Sequence, residues 1–368
     1  MKTKRITIFD KLMFLIALVM AVGMFMGIRA GVSDPRQHMV FAFFGLAYPF
    51  FLLGNILSLV YWIIRTKWAI VAVTVVVIAY GGHTLIATFG FFGNQGELRK
   101  EDESLVRVMT YNVHNFTPYG EELSLSMKEK MLNVVAEQAP DIVCFQEFYT
   151  RKKGPYDIVD SLKRLLNVKY YYFIPTMKSE RESIGMAIFS RFPIRDSGRI
   201  DFKGVTGNMS VFVDLQIRNK VIRVYNVHLQ SISFGSEDYS YIDQVKDMDA
   251  KMGSSKRIAR MIKGAFKKRS EQVDVMKAHM ASCETPFIVA GDFNDTPASY
   301  VVTKMTDSLN NAFIMKGQGF GKTYNGKFPN FQIDYIATTK NIDVINYKII
   351  EAKLSDHFPV RSDLRLKN

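Results

Sequence analysis

Apolar residues are distributed in two different ways along this chain. Up to residue 96 they form three long stretches: Leu12–Ile28, 40–64 and 68–92. None of the three contains Lys, Arg, Asp or Glu. A membrane-crossing helix needs about 20 predominantly apolar residues. The second and third stretches therefore predict spans, and the first is just long enough. A buried core helix normally keeps one polar face, and these have no charged one. Lys2, Lys4 and Arg5 before the first stretch also fit a signal peptide. The apolar run is long for that role and no A-x-A site follows, which favours an anchor. Gly23, Gly27 and Gly31, spaced by four, suit close helix packing. His83, beside Gly81-Gly82, is read as packing against a neighbour.

Beyond a polar linker, residues 97–104, the apolar runs shorten and alternate between strand and helix periods. Strands are expected at 105–113, 141–146, 184–190, 209–217, 221–227, 286–290, 332–337 and 359–366. Helices are expected at 124–138, with Ser124 or Ser126 as N-cap, and at about 254–282. Residues 1–96 thus predict an all-α transmembrane region and 105–368 an α/β domain. Several apolar strands end in one polar residue able to hold a metal or a phosphate: Asn112, Glu147, His228 and Asp292. One such ending carries no information; four suggest convergence on one site.

Charge adds topology. Of the 48 Lys/Arg and 35 Asp/Glu, residues 1–96 hold 8 and 2, leaving 40 and 33 for the rest. The net +13 therefore divides into +6 and +7. Lys2, Lys4, Arg5 and Lys11 precede the first span, and Arg65 and Lys67 fill the link between the second and third. The positive-inside rule puts both on the cytoplasmic side. Three crossings then leave residue 97 onward outside the cytoplasm. The modest excess on that domain suits an anionic substrate or lipid surface without requiring either. Cys144 and Cys283 have no metal-type spacing and read as structural.

Seven segments carry the chemistry: Met109-Thr-Tyr-Asn-Val113, Cys144-Phe-Gln-Glu147, Ser183-Ile-Gly-Met-Ala-Ile-Phe-Ser-Arg-Phe-Pro193, Tyr225-Asn-Val-His-Leu229, Ala290-Gly-Asp-Phe-Asn-Asp295, Gln332-Ile-Asp-Tyr335 and Ser355-Asp-His-Phe-Pro359. Singly, Glu147, Asp292 and Asp334 would be ordinary strand-end carboxylates and His228 a core histidine. In this order the seven resemble the endonuclease/exonuclease/phosphatase superfamily, from about Arg107 to Leu366. The resemblance implies a four-layer αββα sandwich, two mixed β-sheets flanked by helices. It implies a hydrolase of phosphate esters dependent on Mg²⁺ or Mn²⁺. It also implies roles: Glu147, Asn112 and Asp356 toward the metal; Asp292 and Asn294 on the nucleophilic water and a phosphate oxygen; an Asp334–His357 pair; and His228 on the scissile phosphate. These types suit the reaction. Hard carboxylates hold Mg²⁺, histidine exchanges protons near neutral pH, and an aspartate behind it fixes its tautomer. The glutamate that some members place behind the phosphate-contacting histidine has no assigned counterpart; Glu182 is nearby.

The substrate is less determined. Nucleic acid and a phospholipid headgroup both fit, the second in the manner of a sphingomyelinase, and so does a phosphomonoester. Membrane lipid is the partner implied by the spans, and no protein partner is predicted. Lys256, Arg257, Arg260, Lys263, Lys267, Lys268 and Arg269 crowd one helix, facing anionic lipid, a nucleic-acid backbone or only solvent. A non-catalytic membrane scaffold is the other functional class, opposed by the intact Glu147, Asp292 and His357. A transporter is opposed by spans free of Lys, Arg, Asp and Glu.

Overall fold

The computed structural model describes residues 6–91, 93–117, 122–202, 207–232, 252–326 and 331–367. Among the described residues, the N-terminal part holds five helices: α1 (Ile8–Ala30), α2 (Met39–Leu46), α3 (Tyr48–Ile64), α4 (Trp68–Tyr80) and α5 (Gly82–Thr88). A capping box starts α1: the Thr7 hydroxyl accepts from the Asp10 N–H at 3.1 Å, and Asp10 accepts from the Thr7 N–H at 2.7 Å. Its 23 residues run about 34 Å, and α1 is by itself long and apolar enough to cross a membrane. The other two expected spans are each broken. α2 and α3 bend by 62°, and α4 and α5 by 68°. Pro49 in the first turn of α3 donates no N–H, and its ring opposes a continuous helix. Gly81-Gly82 marks the second break, and that helix stops at Thr88.

The spaced glycines do pack helices. A Cβ on Gly23 would fall 2.3 Å from the Phe51 ring, and one on Gly27 would fall 2.9 Å from the Phe44 carbonyl. Only glycine lets α1 lie so close to α2 and α3. His83 is exposed at the bend, so the expectation that it packs against a neighbour fails. At one end of the helices, Asp10 accepts from the Tyr61 hydroxyl and from Arg65 Nε, both at 2.7 Å. The opposite ends of α1, α3 and α5 adjoin the second part of the chain.

That second part is a four-layer sandwich. One sheet has the order β10-β12-β9-β8-β7-β6, with β6 (Ile194–Ile200), β7 (Ser210–Ile217), β8 (Lys220–His228), β9 (Phe287–Asp292), β10 (Asn310–Asn311) and β12 (Asp334–Thr338). The other has the order β13-β15-β2-β3-β5-β4, with β14 (Lys348–Ile349) also on β15. Its strands are β2 (Val106–Asn112), β3 (Ile142–Arg151), β4 (Tyr170–Lys178), β5 (Glu182–Ser190), β13 (Ile342–Val344) and β15 (Val360–Leu366). Both sheets are mixed: β2–β3 and β8–β9 are parallel pairs among antiparallel ones. A small third sheet pairs β1 (Phe89–Gly90) with β11 (Gly319–Phe320).

Alternation along the strands makes three apolar layers. Val108, Ile142, Cys144, Val213, Val224, Ile288 and Ile336 meet between the sheets. Met109, Val143 and Phe145 face outward onto α6 (Leu125–Glu137) and α7 (Ile158–Leu166). Tyr225, Val227 and Val289 face outward onto α8 (Met252–Ala281) and α9 (Tyr300–Thr306). Ser124 is the N-cap of α6, accepting from Met127 at 3.2 Å. The short helix α10 (Ala312–Lys316) precedes β11. The linker is pinned to the domain: buried Arg107 and Arg361 donate to the carbonyls of Leu98 and Glu97 at 2.5 and 2.6 Å. Arg269 departs from the expected cationic face of α8. It is 1% exposed and bonded to Asp295, while Lys256, Arg260, Lys263, Lys267 and Lys268 are exposed.

Candidate active site

At one edge of the sandwich the inner-face rows turn from aliphatic to polar. On β2 the row runs Val108, Thr110, Asn112; on β8 it runs Val224, Asn226, His228; on β9 it runs Ile288, Ala290, Asp292. Period-two alternation alone would put Glu147 on the outer face with Val143 and Phe145. Instead β3 carries a bulge between Phe145 and Phe148, and Glu147 has φ +52°. The extra residue swings Glu147 inward, and β3 continues to Arg151 rather than ending at Glu147. Gly291 has φ +144°, and a Cβ there would lie 2.0 Å from the Val227 carbonyl, so only glycine fits beside β8.

Asn112 sits centrally: its amide nitrogen donates to Glu147 Oε1 at 3.2 Å and to Asp292 Oδ2 at 3.1 Å. The Asn294 N–H and side-chain amide both donate to Asp292, at 2.8 and 3.1 Å, and the amide also reaches the Leu229 carbonyl at 3.0 Å. His357 Nδ1 bonds Asp334 Oδ2 at 3.0 Å, and its Nε2 faces Asp292 Oδ2 at 3.7 Å. His228 Nε2 is buried without a hydrogen-bond partner among the described residues, 3.8 Å from both Glu147 Oε1 and Asp292 Oδ2. These gaps are too long for direct bonds. One oxygen at hydrogen-bond distance from both sides would bridge each of them.

Asp356 borders the cluster. Its carboxylate accepts from the Ser355 hydroxyl at 3.1 Å and acts electrostatically on His357 and His228. Glu182 lies elsewhere, accepting from the Tyr149 hydroxyl at 2.8 Å and paired with Arg151, so it does not back His228. Among the described residues, Asp292, Asp334 and His357 form a group able to hold a metal ion, with ligand atoms within 4.8 Å of one another. It overlaps the predicted site without matching the Glu147, Asn112 and Asp356 set. Since Asp334 and His357 are already bonded to each other, Glu147 and Asp292 are the carboxylates turned toward the shared space.

Electrostatics follow from enclosure. Burial pushes the Asp292 carboxyl up to about 7, against the pull of the His357 imidazole. Burial also disfavours a charged His357, but Asp334, Asp292 and Asp356 outweigh it and hold its pKa well above the ordinary value. Burial lowers the pKa of His228, with only partial relief from Glu147.

Four supporting residues were not singled out from sequence. Gln146 donates to Asn226 Oδ1 at 2.6 Å and to Thr110 at 3.0 Å, and Asn226 donates to the carbonyls of Phe145 and Ala187. These amides stitch the two sheets together beneath the site. The Thr323 hydroxyl accepts from the Asp334 N–H at 3.0 Å, and the Tyr324 ring stands edge-on to His357 with centroids 5.4 Å apart. Gln146 and Asn226 lay inside quoted motifs, and a polar residue at an inner-face position was the available signal. Thr323 and Tyr324 lay outside any motif.

Comparison with known proteins agrees with this arrangement. Residues 109–357 match the model of the Endonuclease/Exonuclease/phosphatase family, and residues 10–88 match a domain of unknown function. No curated protein matches the chain. Among solved structures, an endonuclease/exonuclease/phosphatase from Beutenbergia cavernae shares 19% identity at a TM-score of 0.51, covering 72% of each chain. The human Nocturnin catalytic domain shares 18% at 0.51, covering 72% of this chain and 95% of its own. A mannosyl-6-phosphatase from Bacteroides thetaiotaomicron shares 16% at 0.50, covering 70% and 99%. At these identities the likeness shows the fold. The family match spans more than half of the residues, so the chain belongs to the Endonuclease/Exonuclease/phosphatase family, whose members are hydrolases of phosphate esters.

Proposed function

We propose that the chain is a divalent-metal-dependent phosphoesterase tethered to a membrane by residues 1–96. The observation that carries this reading is the meeting of Glu147, Asn112, His228, Asp292, Asn294, Asp334 and His357 in one enclosed cluster. The donor set fits a hard cation: Glu147 with Asn112 and Asp356 would hold Mg²⁺ or Mn²⁺. Bound there, the ion would neutralise phosphate oxygens and the leaving oxygen.

The chain's own groups do the rest. Asp292, held by two bonds from Asn294, accepts the proton of the attacking water. The water oxygen bonds to phosphorus, the phosphorus–oxygen ester bond breaks, and the leaving oxygen takes up, in net, the proton given to Asp292 and ends as an alcohol. Asp334 fixes the His357 ring so that Nε2 points at the same space and stabilises developing charge. His228 Nε2, without a partner among the described residues, takes a phosphate oxygen. The test is hydrolysis of a generic phosphodiester by Glu147→Gln, with and without chelator. The wild-type rate should vanish with chelator, and Glu147→Gln should lose most metal-dependent turnover while keeping its fold. Full activity of the variant would refute the assignment.

For the anchor, the reading counts α1 and the two bent helix pairs as three crossings. Asp10 and Arg65 meet at one end of the bundle while the catalytic domain adjoins the other, as that count requires. The Lys/Arg bias then orients the catalytic domain away from the cytoplasm. A reporter fused after the C-terminus should be active only in an exported form.

A further inference from the structure

Three loops that bear site residues also bear contacts to the N-terminal helices. After His228, Ile232 packs against the cluster of Ala42, Ile262 and Phe266, as do Met39 and Phe43 of α2. After Asn294, Ala298 packs with Met24, Tyr48 and Leu52 of α1 and α3. A Cβ on Gly45 would lie 3.4 Å from the Ala298 carbonyl. Before Asp334, the Phe331 ring meets Phe50 at 6.4 Å. The Phe331 carbonyl accepts from the Tyr324 N–H at 2.9 Å, and Tyr324 abuts His357. The helices therefore dock on the edge of the sandwich where the strands present their catalytic residues.

Around this junction apolar side chains stand open. Phe50 is 60% exposed, Phe91 51% and Phe89 40%, all from the N-terminal part. The catalytic domain adds Met315 and Phe320, each 44% exposed, with Phe320 paired across from Phe89 in the small third sheet. Exposed aromatics continuous with membrane-crossing helices are the composition of a surface that sits in the headgroup–acyl boundary.

We propose that the catalytic edge is seated on the bilayer, with Met315 and Phe320 immersed in that boundary, and that the site takes the phosphate ester of a membrane lipid. This rests on the hydrolase and anchor readings above. A lipid headgroup carries its phosphate at the level of this rim and reaches the site without leaving the bilayer. A nucleic-acid strand has to enter between the domain and the membrane. The step is hydrolysis: water adds to phosphorus, one phosphorus–oxygen ester bond breaks, and the water proton ends on the leaving oxygen.

The test uses the full chain in lipid nanodiscs with Mg²⁺. Substrates are phosphatidylglycerol and phosphatidic acid in the disc, their dihexanoyl analogues in solution, a single-stranded oligonucleotide, and bis(p-nitrophenyl) phosphate. Confinement to the same bilayer should favour the long-chain lipid over its soluble analogue by about tenfold or more. The double variant Met315→Ser/Phe320→Ser should slow lipid turnover by roughly tenfold and leave bis(p-nitrophenyl) phosphate turnover unchanged. Equal rates on soluble and bilayer-borne esters, or preference for the oligonucleotide, would overturn the lipid assignment. So would a variant that slows both substrates alike. Failure to hydrolyse any ester sinks the hydrolase reading on which the substrate assignment depends, and the seating is then judged without activity. Phe320→Cys in a Cys283→Ser background, labelled with an environment-sensitive fluorophore, should be quenched by nitroxide lipids and shielded from aqueous iodide. The reverse pattern refutes the seating.

Discussion

Replacing Arg269 by Met should destabilise the catalytic domain more than any exposed charge change on the same helix. Arg269 is 1% exposed and its Nε donates to Asp295 Oδ2 at 3.0 Å, while Nη1 donates to the Gln230 carbonyl at 3.0 Å. One side chain thus ties the loop after His228 to the loop after Asn294. Burial already pushes the Asp295 carboxyl up, and the Arg269 guanidinium is the main group opposing that. Removing one partner of such a buried pair costs about 3–5 kcal/mol, because the other charge is stranded. For a domain of this size that is roughly 6–20 °C in midpoint. The Arg269→Met/Asp295→Asn double variant should recover most of it, since a buried pair exchanged for neutral groups is often close to neutral. Thermal unfolding of the detergent-solubilised full chain measures all three proteins. A single-variant loss under about 1 kcal/mol, or a double variant no better than the single, would refute the argument.

Three further outcomes are expected. His357→Ala should lower turnover by about 10²–10³-fold, the cost of losing one group that stabilises transition-state charge, and Asp334→Asn by less, because it orients the ring rather than meeting substrate; equal losses in steady-state turnover would contradict that division. Asn226→Leu removes one of the two bonds the Gln146 amide makes to side chains and both side-chain donors to the Phe145 and Ala187 carbonyls, so it should cost about 1–3 kcal/mol in thermal unfolding although it never meets substrate. Asp363 is held below the usual carboxylate range: burial raises its pKa, but bonds from Arg107 and Asn346 outweigh that. A depressed carboxylate stabilises the fold above its unfolded pKa of about 3.9 and loses that contribution as pH falls through the folded value. The stability gap between wild type and Asp363→Asn should therefore be full at neutral pH and shrink below about pH 4.

Much of the second part was legible because its strands are buried on both faces. A continuous apolar run marks β9, and apolar residues at every second position mark β2 and β8, each to within a residue or two. β4 and β6 were missed for the converse reason. Tyr170–Lys178 and Ile194–Ile200 are half-exposed and lack the alternation that separates a strand from a loop. In the N-terminal part, composition alone marked three apolar stretches, but hydropathy has no term for direction. The bends came from Pro49 and from Gly81-Gly82, residues visible in the sequence whose effect depends on what each half packs against.

The site was legible as a set of residues and not as a geometry. Asn112, His228 and Asp292 end inner-face rows, so alternation alone directs them to one edge. Glu147 falls on the wrong face by that count, and only the bulge at Phe145–Phe148 brings it in. Nothing in Cys144-Phe-Gln-Glu147 announces a bulge, because the left-handed backbone at Glu147 is imposed by pairing with β5 rather than by local preference. Arg269 misled in the opposite direction. It continues a cationic run along α8, yet Asp295 lies across from it and was visible only as the last residue of a separate motif. The identity of a charged residue's partner is a long-range fact. One side of a helix wheel cannot distinguish a solvated cation from one that holds two catalytic loops together.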